Sequence, residues 1–214
     1  MKTILCYGDS NTYGYIPGTG QHYPKNLRWT TILANKLGDN YDVIPEGLNG
    51  RTTAFDLDGD NMKNGLAHYR TIFSSHRPID LVIFMLGTND VTTNYNLSLE
   101  EITKGMEDLI ATNKEISLEK QDYVPEVILI CPAAIKPNYH STPLEYQLND
   151  EVIEKSQNLH LLYEQLANKY RCHYLDCTNK LEVSELDCMH LTALGHLQLA
   201  DILYEIISTL NLNK

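Results

Sequence analysis

The chain has 214 residues and a mass of 24.4 kDa, with 43% hydrophobic and 21% charged residues. This composition excludes disordered and fibrous classes, and a chain of this mass buries about 70% of its unfolded surface in one core or at most two small ones. The formal charge of −11, from 28 acidic and 17 basic side chains, would be repelled by phosphate backbones and anionic membrane surfaces, so neither nucleic acid nor a membrane is an expected partner.

Residues 3–7 read as a short apolar strand. Residues 29–37 carry apolar side chains at helical spacing and stop at Gly38, the residue type favoured just past a helix end. A second strand is expected over 41–45 and a helix over 62–74. The run 79–86, Ile-Asp-Leu-Val-Ile-Phe-Met-Leu, is nearly continuous in apolar residues, as in a strand buried on both faces of a parallel sheet. Ser98 and Glu101 have capping-box spacing and open a helix through about residue 116. Residues 126–131 form a fourth strand stopped by Pro132. Residues 144–170 form a long helix with Leu148, Val152, Leu159, Leu162 and Leu166 on or near one face. Residues 173–176 make a fifth strand. Residues 192–210 close the chain as a helix with Leu199, Ile202, Leu203, Ile206 and Leu210 inward.

No repeat, low-complexity tract or linker interrupts this order, so one domain is expected over 1–214. Five strands alternating with helices predict a doubly wound α/β fold with a mostly parallel sheet. Ligands then sit beyond the carboxyl ends of the strands, where the winding reverses. The segments there are 8–14, 47–53, 87–90, 132–140 and 177–190. The five cysteines, Cys6, Cys131, Cys172, Cys177 and Cys188, are irregularly spaced and odd in number, which fits a reducing compartment rather than a disulfide framework. The first apolar run is too short for a signal peptide, and none approaches the ~20 residues of a membrane span. A cytoplasmic location is expected.

The first strand ends in Gly8-Asp9-Ser10-Asn11-Thr12. A serine at a strand-to-helix turn projects into the crevice, and its amide can donate to a developing oxyanion. Alone, such a serine is most often a turn or cap residue. The segment is not the G-x-S-x-G elbow, because Thr12 holds the last position, and no dinucleotide or phosphate-loop glycine pattern is present. The second strand ends in Gly47-Leu48-Asn49-Gly50-Arg51, whose glycines leave backbone open to a ligand and place a second donor near Gly50; an Asn-Gly turn is the plainer reading. Asn89, in Gly87-Thr88-Asn89-Asp90, offers a neutral N–H donor or caps its loop, while Asp90 is assigned a structural role. Asp187 stands three residues before His190 and can fold back onto the imidazole, leaving Nε2 to take a proton from a serine. A zinc set of Cys177, Cys188 and His190 lacks the usual ligand spacing. The four segments coincide at one end of the sheet. Together they supply a nucleophile, a base, its orienter and oxyanion donors.

Gly8-Asp9-Ser10, Gly47–Arg51 with Gly50, Gly87-Thr88-Asn89-Asp90 and Asp187-x-x-His190 resemble the four sequence blocks of the SGNH hydrolases, the GDSL-type lipase and esterase superfamily. The resemblance runs from residue 4 to about 210 and is nearest to the bacterial arylesterase and acyltransferase branch. Asn11 stands where that family usually has Leu, a departure expected to alter the acyl pocket and touch no catalytic role.

The resemblance implies a flavodoxin-like, three-layer α/β/α sandwich with a five-stranded sheet, and a serine esterase without metal or cofactor. Ser10 would be the nucleophile, His190 the base and Asp187 its orienter. The Ser10 and Gly50 amides and the Asn89 side chain would form the oxyanion hole. The expected partner is a small ester whose short acyl group passes through an acyl-enzyme to water or another alcohol. A carbohydrate acetylesterase is the alternative, and a silent binding module a third. Related arylesterase-type proteins can form homo-oligomers. A histidine base with a reference pKa of about 6.5 would lose activity below neutrality. Tyr13, Tyr15, Tyr23, Tyr95 and Tyr139 are expected at the mouth, either as a substrate platform or as scattered half-buried residues. Residues 132–143 are a candidate wall. His196 is expected to point away from the site.

Overall fold

The computed structural model describes residues 1–212. Along it run β1 (Lys2–Gly8), α1 (Ser10–Tyr13), α2 (Trp29–Leu37), β2 (Tyr41–Gly47), α3 (Gly65–His76), β3 (Leu81–Met85), α4 (Leu99–Lys120), β4 (Glu126–Cys131), α5 (Asp150–Tyr170), β5 (His173–Asp176) and α6 (Ala193–Thr209). The sheet order is β2-β1-β3-β4-β5, and every neighbouring pair is parallel, so the sheet is wholly rather than mostly parallel. Parallel neighbours need long crossovers, which the helices supply. The winding reverses between β1 and β3, which opens a crevice beyond their carboxyl ends.

Alternation along the inner strands divides the core in two. Leu5, Tyr7, Val82, Phe84 and Leu129 pack with residues of α3, α4 and α5. Ile4, Cys6, Leu81, Ile83, Met85, Ile128 and Ile130 pack with residues of α2 and α6. All five residues of β3 are at most 1% exposed, as its unbroken apolar run predicts for the central strand. Each such side chain contributes about 1.5–3 kcal/mol through burial. Pro45 is tolerated in β2 because that strand lies at the sheet edge.

Helix starts follow local caps. The Ser98 side chain accepts from the Glu101 amide and Glu101 reaches back to the Ser98 amide, closing the predicted capping box. α3 starts at Gly65 rather than 62 because Asn64 caps the Ala67 amide at 3.0 Å. The helix expected from 144 starts at Asp150, where Asn149 caps the Val152 amide at 2.8 Å. The preceding Glu145–Gln147 is a single 3₁₀ turn. Among the described residues, no helix is long and apolar enough to cross a membrane.

Candidate active site

Asp9 ends β1's course and caps α1, its Oδ1 accepting from the Asn11 amide at 2.9 Å. Ser10 is therefore the first residue of a one-turn helix, where amides have no intrahelical partner. Its side chain points to the loop before α6. There Asp187 folds back on its own backbone: Oδ1 accepts from the amides of Met189 at 3.2 Å and His190 at 3.1 Å. Oδ2 accepts from His190 Nδ1 at 2.8 Å and from the Gly18 amide at 3.1 Å. His190 Nε2 lies 2.9 Å from Ser10 Oγ. With the ring proton on Nδ1, the serine hydroxyl donates to Nε2.

The three residues are buried, at 3% exposure for Ser10, 1% for Asp187 and 6% for His190. Burial alone would push the Asp187 carboxyl up. The bonds from the His190 ring and the two amides outweigh it and hold the group below the usual carboxylate range. Asp187 is thus ionised beside the imidazole at neutral pH.

On the other side of Ser10, Gly50 sits at φ +78° in a turn closed by the Arg51 amide on the Leu48 carbonyl at 3.0 Å. This left-handed backbone is cheap only for glycine. Asn89 Nδ2 donates to the Arg51 carbonyl at 2.9 Å, which fixes the amide's orientation and leaves its second hydrogen free. Ser10, Gly50, Asn89 and His190 line one cavity of about 620 Å³. All the residues predicted for the chemistry thus meet in one place. Gly47 does something other than expected: a Cβ there would lie 2.0 Å from the Tyr13 amide nitrogen, so its open backbone admits α1, not a ligand.

Two further residues knit the block ends together. Arg51, 5% exposed, donates to the carbonyls of Gly8 and Glu46 and lies 4.2 Å over the Tyr7 ring, joining the ends of β1 and β2. Its place in the Gly47–Arg51 block was the only sequence signal. Asp90 accepts from the Thr53 amide at 2.9 Å and hydroxyl at 2.6 Å, the structural role expected of it. Burial pushes both Asp9 and Asp90 up to about 6.

The tyrosines divide. Tyr15 lines the cavity, with its ring 4.3 Å from that of His190, and Tyr95 lines it too. Tyr13 stacks on His22, Tyr23 packs edge-on against His196, and Tyr139 is buried with its hydroxyl on Asp150; these three do not line it. Tyr146, which the sequence did not single out, does, and is 73% exposed. The wall expected from 132–143 comes instead from Leu144, Tyr146 and Gln147, with Gln147 bonded to Asn94 at 2.9 Å. Asn11 is not in the cavity lining. Its Oδ1 accepts from the Leu191 amide at 2.9 Å, which corrects the expectation that it shapes an acyl pocket. His196 is buried against Tyr23 and Trp29, outside the cavity. Among the described residues, no three His, Cys, Asp or Glu side chains are grouped to hold a metal ion.

The family model described as GDSL-like lipase/acylhydrolase matches residues 6–197. No curated protein sequence matches the chain. Solved structures do. The chain is similar to a carbohydrate acetylesterase from Sinorhizobium meliloti, at 31% identity and a TM-score of 0.91 over 99% of this chain and 100% of that one. It is also similar to the M. smegmatis aryl esterase, at 29% identity and a TM-score of 0.91 over the same shares. A lipase/acylhydrolase from Enterococcus faecalis, at 20% identity and a TM-score of 0.71, shares the fold. A match over residues 6–197 spans most of the chain, and the chain belongs to the GDSL-like lipase/acylhydrolase family of SGNH hydrolases.

Proposed function

We propose that this carboxylic ester hydrolase works as a serine esterase in which Ser10 is the nucleophile, His190 the general base and Asp187 its orienter. The observation that carries this reading is the continuous chain of bonds from Ser10 Oγ through His190 to Asp187, at 2.9 and 2.8 Å. Ser10 Oγ attacks the ester carbonyl as its proton passes to His190 Nε2. The carbonyl oxygen, now negative, takes hydrogen bonds from the Ser10 and Gly50 amides and from Asn89 Nδ2. The intermediate collapses to an acyl-enzyme, and the alcohol leaves with the proton from His190. Water, deprotonated by His190, then attacks the acyl carbonyl, and Ser10 is released with its proton restored. A second alcohol in place of water would give acyl transfer.

The substrate we infer is a small ester. Its alcohol part would meet Tyr15, Tyr95 and Tyr146 together with the amides of Asn49, Asn94 and Gln147. Such faces with polar tips suit an aryl group or a sugar, the two classes named for the similar esterases. The polar share of that lining supports an acetylated sugar as the second reading. Unpaired thiols at all five cysteines support a reducing compartment, and we assign the protein to the cytoplasm. Hydrolysis of p-nitrophenyl acetate by Ser10→Ala is the direct test of the nucleophile: activity should fall to background, and retention of most of it would refute the assignment. Comparing p-nitrophenyl acetate with an acetylated oligosaccharide separates the two substrate classes.

A further inference from the structure

The bonds that Asp187 makes within its own loop set the rotation of the His190 ring. They do not set where that loop stands relative to Ser10. The bond between Ser10 and His190 cannot do so throughout the reaction, because its proton moves. Beside the packing of the Tyr15 ring on His190, two other hydrogen bonds cross the gap. One is the Gly18 amide on Asp187, from a segment downstream of α1. The other is immediate: Asn11, next to the serine, accepts through Oδ1 from the amide of Leu191, next to the histidine, at 2.9 Å.

Both partners of this second contact are fixed. Asn11 is 4% exposed and Leu191 1%. The Asn11 amide donates to Asp9 Oδ1 at 2.9 Å, and its carbonyl accepts from Nε1 of the fully buried Trp29 at 3.2 Å. The peptide between His190 and Leu191 is held at both ends, because its carbonyl accepts from the Ser184 amide at 2.9 Å while its N–H donates to Asn11. We infer that Asn11 is a positioning residue, whose Oδ1 sets the Ser10–His190 separation by holding the 190–191 peptide. The inference rests on the assignment of Ser10 and His190 above.

An apolar side chain of similar size at position 11 would fill the space and leave the Leu191 N–H buried without a partner. The loop would then relax, and a displacement near 1 Å can cost about 100-fold in rate. An aspartate would keep an acceptor oxygen.

The test is the rate of fluorophosphonate labelling at Ser10, read with kcat, KM and the circular dichroism of each variant. Asn11→Leu should fold, label about 10–100-fold more slowly and lose kcat by a similar factor, with KM little changed. Asn11→Asp should recover most of the labelling rate, and its added negative charge should move the acid limb of the pH–rate profile upward. Wild-type rates in Asn11→Leu would overturn the proposal, as would equal losses in the two variants. If neither variant folds, Asn11 is a folding residue and the assignment also fails. A wild-type protein that is not labelled at Ser10 would instead overturn the assignment of the nucleophile itself.

Discussion

In the proposed mechanism Asn89 donates to the substrate oxyanion, and its side chain is held in place before any substrate arrives. Its amide is anchored to the Arg51 carbonyl, so no reorganisation is needed when charge develops on a substrate oxygen. Asn89→Ala should lower kcat by ~100–1,000-fold, while losing one hydrogen bond costs about 1 kcal/mol of stability. Turnover within tenfold of wild type would remove Asn89 from the oxyanion hole. At Gly50 the constraint is conformational. Gly50→Ala would have to hold φ +78° at a cost of about 1–2 kcal/mol, or give up the turn closed by Arg51 on Leu48. Lower turnover together with a lower thermal midpoint is the expected result. That Ser10, Asn89, Asp187 and His190 meet was legible because each lies in a short polar segment directly after a strand or before a helix. Asn11 was visible as a departure, but its bond to Leu191 was not, because that partner lies 180 residues away.

The elements were legible where periodicity and caps agree. α2 has the bounds its apolar spacing predicts, and α4 begins at its capping box. α5 was read six residues too early because Leu144 and Leu148 continue the apolar spacing, although Asn149 with Asp150 and Glu151 marks the start. Asn149→Ala should therefore cost about 1 kcal/mol (range 0.5–2) in urea unfolding. No measurable change would mean that tertiary packing alone sets this helix end. The division of the tyrosines was not legible, since a loop tyrosine becomes a cavity wall or a packed ring according to what crosses it. Tyr139 and Tyr146 lie in the same connection, one buried under Asp150 and the other open at the rim.

Across the whole molecule, buried titratable groups pull stability in opposite directions with pH. Burial pushes Asp9 and Asp90 up to about 6. Both bind their protons more tightly folded than unfolded, so the stability they lend is present below about pH 4 and lost as pH rises through about 6. Burial, with His190 and Arg28 nearby, pushes His196 down to about 4. Its contribution is present above about pH 6.5 and lost as pH falls through about 4. The stability gap between wild type and His196→Gln should then narrow by about 2–3 kcal/mol between pH 7 and pH 4.5. Urea titrations at the two pH values measure it, and a constant gap would contradict a neutral, buried His196. The alternation of strands and helices was enough to place the crevice, because a doubly wound sheet brings all its strand ends to one side. It did not give the strand order or show that every pair is parallel.

Everything proposed for this site depends on Ser10 being the nucleophile, activated by His190. Intact-mass and peptide-level analysis after fluorophosphonate treatment tests it most directly. One phosphonyl group per chain is expected, on Ser10, with labelling lost in Ser10→Ala and strongly slowed in His190→Ala. An unlabelled protein, or a label on any other residue, would contradict it.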